Sequence, residues 1–246
     1  MKYFIIMILG VLNLYALVSI APVEIGDKPG FSGLLKGSFE TKRGNTDSDN
    51  YTGGARLAYD NNQSYVMWGE FSFTYAEASG VKNANSTFTH LRYIHKLYSH
   101  WDWEAFIQSQ GNEFTMIDER LLSGGGVRLH LDKEPYGELF FGLGGFYEYI
   151  DYSTVMDSRE NNLRANFYIA YKKVFTKDSK LSYIGYYQPK VGDVNDYNIL
   201  NTLELTVLIY KKLSLSFSIN YNKDSKPAIG VKEADFSQHT GFIYKF

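Results

Sequence analysis

The chain has 246 residues, no cysteine and a formal net charge of −2. That length suits one large all-β domain; the missing thiols exclude disulfides, thiolate metal sites and cysteine nucleophiles; the near-neutral balance gives nucleic acid no electrostatic hold. Tyr (21) and Phe (17) are abundant although mean hydropathy is only −0.28, a mixture expected of a membrane barrel with aromatic girdles outside and polar groups inside.

Lys2, an apolar run over 3–20 and small residues at Ser19 and Ala21 predict a signal peptide over 1–21. The run also nears the length of a membrane-anchor helix, but no second long apolar segment follows it. Residues 22–29 form a short segment expected in the periplasm, and 30–246 form the barrel. From residue 30 the alternating pattern predicts twelve strands, at 30–42, 50–60, 64–77, 87–98, 101–112, 119–131, 136–150, 162–174, 180–189, 197–210, 212–222 and 234–246. Ten strands result if 180–210 pairs differently. Leu213, Leu215, Phe217, Ile219 and Tyr221 alternate with Ser214, Ser216, Ser218, Asn220 and Asn222, a period of two that no helix produces.

Tight turns are expected at 61–63, 99–100, 132–135, 176–179 and 210–211, and longer polar loops at 78–86, 151–161, 190–196 and 223–233. Arg43-Gly44-Asn45-Thr46-Asp47 has hairpin chemistry. Short turns on one side and long loops on the other are the outer-membrane pattern, with the loops facing the medium, and an even strand number puts both termini in the periplasm. Tyr59, Tyr65, Trp101, Trp103 and Tyr136 lie near the short turns, and Tyr75, Tyr147, Tyr149, Tyr197 and Tyr221 near the loops, the two interfacial levels that Tyr and Trp prefer. The last strand carries Phe236, Phe242, Tyr244 and Phe246 on one face and Ser237, His239, Gly241 and Lys245 on the other. Ending on Phe246, it resembles the closing strand of an outer-membrane barrel, so the expected partners are membrane lipid, lipopolysaccharide and the barrel-assembly machinery, with the chain a monomer.

Parity turns a charged set into the lumen: Arg56, Glu70, Arg92, Glu104, Arg120, Arg128, Glu148, Arg164 and Glu204. Charge on the lipid face would cost a few kcal/mol near the midplane, whereas inside, guanidinium and carboxylate can pair in parallel hydrogen bonds. Such an interior is either a paired structural network or a pore that mildly favours anions. Catalytic patterns are thin. Ser237 and His239 are two apart and inward; a hydrolase would also need a third group to orient the base. Gly124-Gly125-Gly126 lacks the Lys-Ser/Thr of a phosphate loop and sits within a strand, where glycine permits a bend or a close contact with a large side chain. No spacing suggests a metal site, and no cofactor is expected.

The stretch Trp103-Glu104-Ala105-Phe106-Ile107-Gln108-Ser109-Gln110-Gly111-Asn112, followed by Arg120 and Ser123-Gly124-Gly125-Gly126-Val127-Arg128, with Gly44-Asn45-Thr46 before it and Gly144-Gly145-Phe146-Tyr147-Glu148 after it, resembles the family known as salt-induced outer-membrane proteins. The resemblance covers most of 30–246 and implies an outer-membrane barrel of undefined function. The resulting expectation is a non-enzymatic outer-membrane barrel, structural and stress-related or a narrow channel. A lipid- or lipopolysaccharide-modifying hydrolase is the alternative, and an adhesin acting through loops 151–161 and 223–233 a third.

Overall fold

A computed structural model describes residues 23–42, 48–133, 135–153 and 159–246. The expected signal peptide, the hairpin at 43–47 and residues 154–158 of one loop lie outside the described residues. Twelve strands follow in order: β1 (Gly30–Lys42), β2 (Ser48–Asp60), β3 (Tyr65–Ala78), β4 (Val81–Tyr98), β5 (Trp101–Asn112), β6 (Ile117–Lys133), β7 (Gly137–Tyr152), β8 (Arg159–Thr176), β9 (Ser179–Lys190), β10 (Asp193–Tyr210), β11 (Leu213–Asp224) and β12 (Ala234–Lys245). A single 3₁₀ turn, Glu113–Thr115, separates β5 from β6. Every strand pairs antiparallel with its chain neighbours, and β12 returns to β1, so the sheet closes into a barrel. The region 180–210 pairs as a hairpin, with Gln188 opposite Asn198 and Ser182 opposite Glu204. That pairing gives twelve strands rather than ten.

The sheet is inside-out relative to a soluble protein. Along β3, Val66, Trp68, Glu70, Ser72, Thr74 and Ala76 are buried, while Met67, Phe71 and Phe73 between them are exposed. Phe140 and Glu148 are both 0% exposed, so an apolar ring and a carboxylate are sealed equally well inside. The exterior rings form a chain at the short-turn end: Phe31 to Tyr59 at 4.9 Å, Tyr59 to Tyr65 at 6.0 Å, Tyr65 to Tyr93 at 5.5 Å and Tyr93 to Trp103 at 5.2 Å. At the other end Phe39, Tyr51 and Tyr75 continue from strand to strand at 5.1 and 6.4 Å.

Two expected loops are tight turns instead. β3 and β4 pair up to Ala78 opposite Val81, and β9 and β10 up to Lys190 opposite Asp193. The turn residues Ser79 (φ 51°) and Gly80 (φ 75°) are both left-handed, the backbone a two-residue hairpin needs. Polar residues of 81–86 and 193–196 therefore belong to strands. The glycines of β6 and β7 serve the neighbouring backbone. A Cβ on Gly126 would strike the Leu143 carbonyl, and one on Gly142 would fall within the Tyr168 ring. The strands approach closely there, and Tyr168 lies flat across β7 into the lumen.

Candidate functional site

The lumen is organised in three levels, each built where inward positions of neighbouring strands meet. At the centre, Arg56 of β2 sits opposite Glu70 of β3 and reaches its Oε2 with Nη2 at 2.6 Å and Nε at 2.9 Å. Arg92 of β4 donates to Glu104 Oε2 of β5 at 2.6 Å, and the Tyr168 hydroxyl donates to the same oxygen at 3.0 Å. Arg92 also donates to the hydroxyls of Tyr168 and Tyr186 at 3.4 and 3.5 Å, a brace from β4 to β8 and β9 across the barrel. Lys36 of β1 meets Glu204 of β10 at 3.0 Å, across two intervening strands.

At the loop end, Glu148 gathers three donors. Arg120 binds its Oε1, while Arg164 Nε and Asn162 Nδ2 bind its Oε2 at 2.5 and 3.2 Å. Arg164 continues to Asp196 at 2.9 Å. At the short-turn end, Arg128 binds Asp102 Oδ2 through Nη2 at 2.6 Å and Nε at 3.1 Å, and lies 5.0 Å from the centre of the Phe140 ring.

Residues 23–29 enter this short-turn mouth. Arg128 Nη1 donates to the Val23 carbonyl at 3.0 Å, and the Gly26 and Lys28 amides donate to Asp60 Oδ2 at 2.7 and 3.3 Å. Val23 and Ile25 pack on Val66, Trp68 and Ile94, and Asp27 pairs with Lys172 at 2.9 Å. Glu24 lies 3.5 Å from His130 and 3.6 Å from Lys172, and burial beside the Glu138 carboxyl pushes it up to about 8. Two carboxyls share a confined space there, and keeping one proton between them is cheaper than ionising both.

Above this strap lies a cavity of about 290 Å³. Arg56, Arg92, Arg120 and Arg128 stand on its wall, and it runs from Val23 to Lys232 and Glu233 of the loop after β11. Glu70, Glu104, Glu148 and Glu204 are not on that wall; the acids on it, Asp224, Glu233 and Asp235, stand at its loop-side end beside Lys223 and Lys232. The guanidiniums face the space and their carboxylates stand behind them.

The family model described as "Protein of unknown function, DUF481" matches residues 37–246. The chain belongs to that family. The matched DUF481 region carries all nine predicted charged residues, while the strap precedes it. No curated protein is similar to this chain in sequence. Among solved structures, the NanC porin is 13% identical, with 87% of this chain and 98% of that one aligned at a TM-score of 0.51. The KdgM porin (13% identical, 88% and 99% covered, TM-score 0.43) and the translocator domain of autotransporter NalP from Neisseria meningitidis (11%, 89% and 90%, 0.47) superimpose more loosely. The likeness to the NanC porin is one of fold.

Within this DUF481 barrel all nine predicted residues point inward, and each has an ion-pair partner. Most pairs join neighbouring strands along the wall; Lys36–Glu204 is the wider span. Sequence reasoning missed Asp102, Asp60 and Asp196. Asp102 shares parity with Glu104, and Asp196 with Glu204, so parity carried to the strand ends would have found both. Ser237 Oγ and His239 Nε2 are 3.2 Å apart and face the lumen. Among the described residues no carboxylate orients that imidazole.

Proposed function

We propose that this protein is a narrow, non-enzymatic channel of the outer membrane that prefers anions and is closed at one mouth by residues 23–29. The observation that carries the reading is the cavity wall: four guanidiniums face the open space, and the acids that neutralise them lie behind. Past the loop-side mouth, where Asp224, Glu233 and Asp235 stand beside Lys223 and Lys232, a solute on the axis meets the guanidiniums. Low-dielectric walls strengthen that field, so anions are admitted and cations opposed. The short turns and termini face the periplasm, and the loops face the medium. Membrane lipid and lipopolysaccharide cover the aromatic exterior, Phe246 presents the last strand to the assembly machinery, the leader over 1–21 is removed, and the barrel acts as a monomer. A rise in expression with external salt would join it to the stress-related role that the resemblance implies.

The test is single-channel conductance of the folded protein in a planar bilayer under a salt gradient, beside a variant lacking 23–28. We expect small openings in the full chain, larger ones in the shortened chain, and a reversal potential on the anion side that R120Q moves toward zero. Folded barrels that are silent in both forms would sink the channel reading.

A further inference from the structure

We propose that the lumen beside Trp68 is a binding site for one small hydroxylated carboxylate, a sugar-acid-sized anion; this rests on solute entering from the loop mouth, as the channel reading requires. Arg56 and Arg92 both lie over the Trp68 ring, at 5.3 and 5.8 Å from its centre. Trp68 is 8% exposed. Neither its indole Nε1 nor Arg92 Nε has a protein acceptor. Buried donors of this kind are rare in folded proteins and usually mark a place that something else completes. The Nε–Nη2 edge of Arg56 is taken by Glu70 and Arg92 Nη2 by Glu104, so the donors left for a carboxylate beside this ring are Trp68 Nε1 and Arg92 Nε, each able to bond one oxygen.

The surrounding wall argues for hydroxyls on the same molecule. Gln108, Asn166, Gln188 and Asn198 line the cavity. Gln188 Nε2 donates to Asn166 Oδ1, and Gln108 bonds His90 and Gln110, all at 3.0 Å, which leaves each carbonyl a second lone pair and each amide nitrogen a further N–H. A bare anion satisfies donors alone, whereas hydroxyls serve both. Phe140, Tyr168 and Tyr186 add ring faces to the same wall, against which the C–H face of a polyol can lie. The volume, about 290 Å³, falls at the small end of the range of roughly 300–1,000 Å³ for ligand pockets. That volume, spread along the lumen from Val23 to Glu233, suits one small molecule.

Trp101 and Trp103 lie on the exposed face, so W101F/W103F leaves Trp68 as the sole indole. The folded variant in detergent micelles is titrated with sodium gluconate, sodium acetate and sorbitol, following indole fluorescence. We expect saturable binding of gluconate at least tenfold tighter than of acetate or sorbitol. R92Q/E104Q and R56Q/E70Q each remove a guanidinium with its carboxylate, leaving no stranded charge, and each should weaken gluconate at least tenfold. Equal affinity for acetate overturns the hydroxyl recognition, equal affinity for sorbitol overturns the anion seat, and unchanged gluconate binding in both folded double variants overturns the location. Gluconate binding by a barrel that is silent in bilayers keeps the site and removes the channel. Conductance without a gluconate signal does the reverse.

Discussion

Glu148 shows what one residue does in this interior. It is 0% exposed and takes hydrogen bonds from Arg120, Arg164 and Asn162. E148A would leave Arg120 without its carboxylate and Arg164 with Asp196 alone, and breaking a buried pair from one side costs about 3–5 kcal/mol. We expect E148A to lose that much in denaturant unfolding from micelles, and E148Q, which keeps an acceptor oxygen, to lose less. Glycine substitutions should divide in the same assay. A Cβ at Gly126 meets the Leu143 carbonyl, which cannot move without β7, whereas at Gly37 it meets nothing within 4 Å. G126A is expected to prevent or cripple folding, and G37A to fold normally. Parity alone was enough to turn Glu148 and its eight companions inward, because a strand has only two faces. It could not name partners. Those depend on stagger between strands, which brings Arg92 to Glu104 although its registered neighbour is Phe106.

Among the elements, the strands were readable and the strap was not. β1 and β5 have the expected bounds because alternation stops there at Lys42 and Asn112. The ends of β4 and β10 were misjudged because polar residues beyond the membrane level look like loop. Residues 23–29 have no periodicity, so their place in the mouth shows only in the folded barrel. Their seat is titratable. Asp27 from the strap, His130 of β6, Glu138 of β7 and Lys172 of β8 face Glu24, and burial with the Glu138 contact outweighs the opposing pull of Lys172. Glu24 is raised from an ordinary 4.5 to about 8 when the strap is seated. Seating therefore favours the protonated form. Its contribution is complete below about 4.5 and is lost as pH rises through about 8. A nitroxide on K28C should become more mobile between pH 5 and pH 9, and E24Q should abolish the change. Equal mobility at both pH values without E24Q would count against a titratable seat.

For the whole molecule, the decisive feature is where the barrel closes. Between β1 and β2 the ladder runs from Gly30 opposite Asp60 to Lys42 opposite Ser48. Among the described residues, the registered pairs between β1 and β12 run only from Leu34 opposite Lys245 to Gly37 opposite Phe242, joined by mutual bonds between Gly33 and Phe246 at 2.9 and 3.0 Å. β12 remains paired to β11 from Tyr244 up to Ala234. The loop-side half of the seam is thus held from one side only. Lys245 N donates toward β11 and Phe246 N toward β1, so alternation aims the Gln238 and Thr240 amides at β1, beyond the last registered pair. Backbone groups without a ladder partner are costly in lipid, which makes this half-seam the place where the barrel opens first. In hydrogen exchange on lipid-reconstituted protein, the Gln238 and Thr240 amides should exchange well ahead of those of β7, which is paired along both edges. Protection of these amides equal to that of β7 would mean that the seam closes along its full height in the membrane, and that the barrel has no weak side.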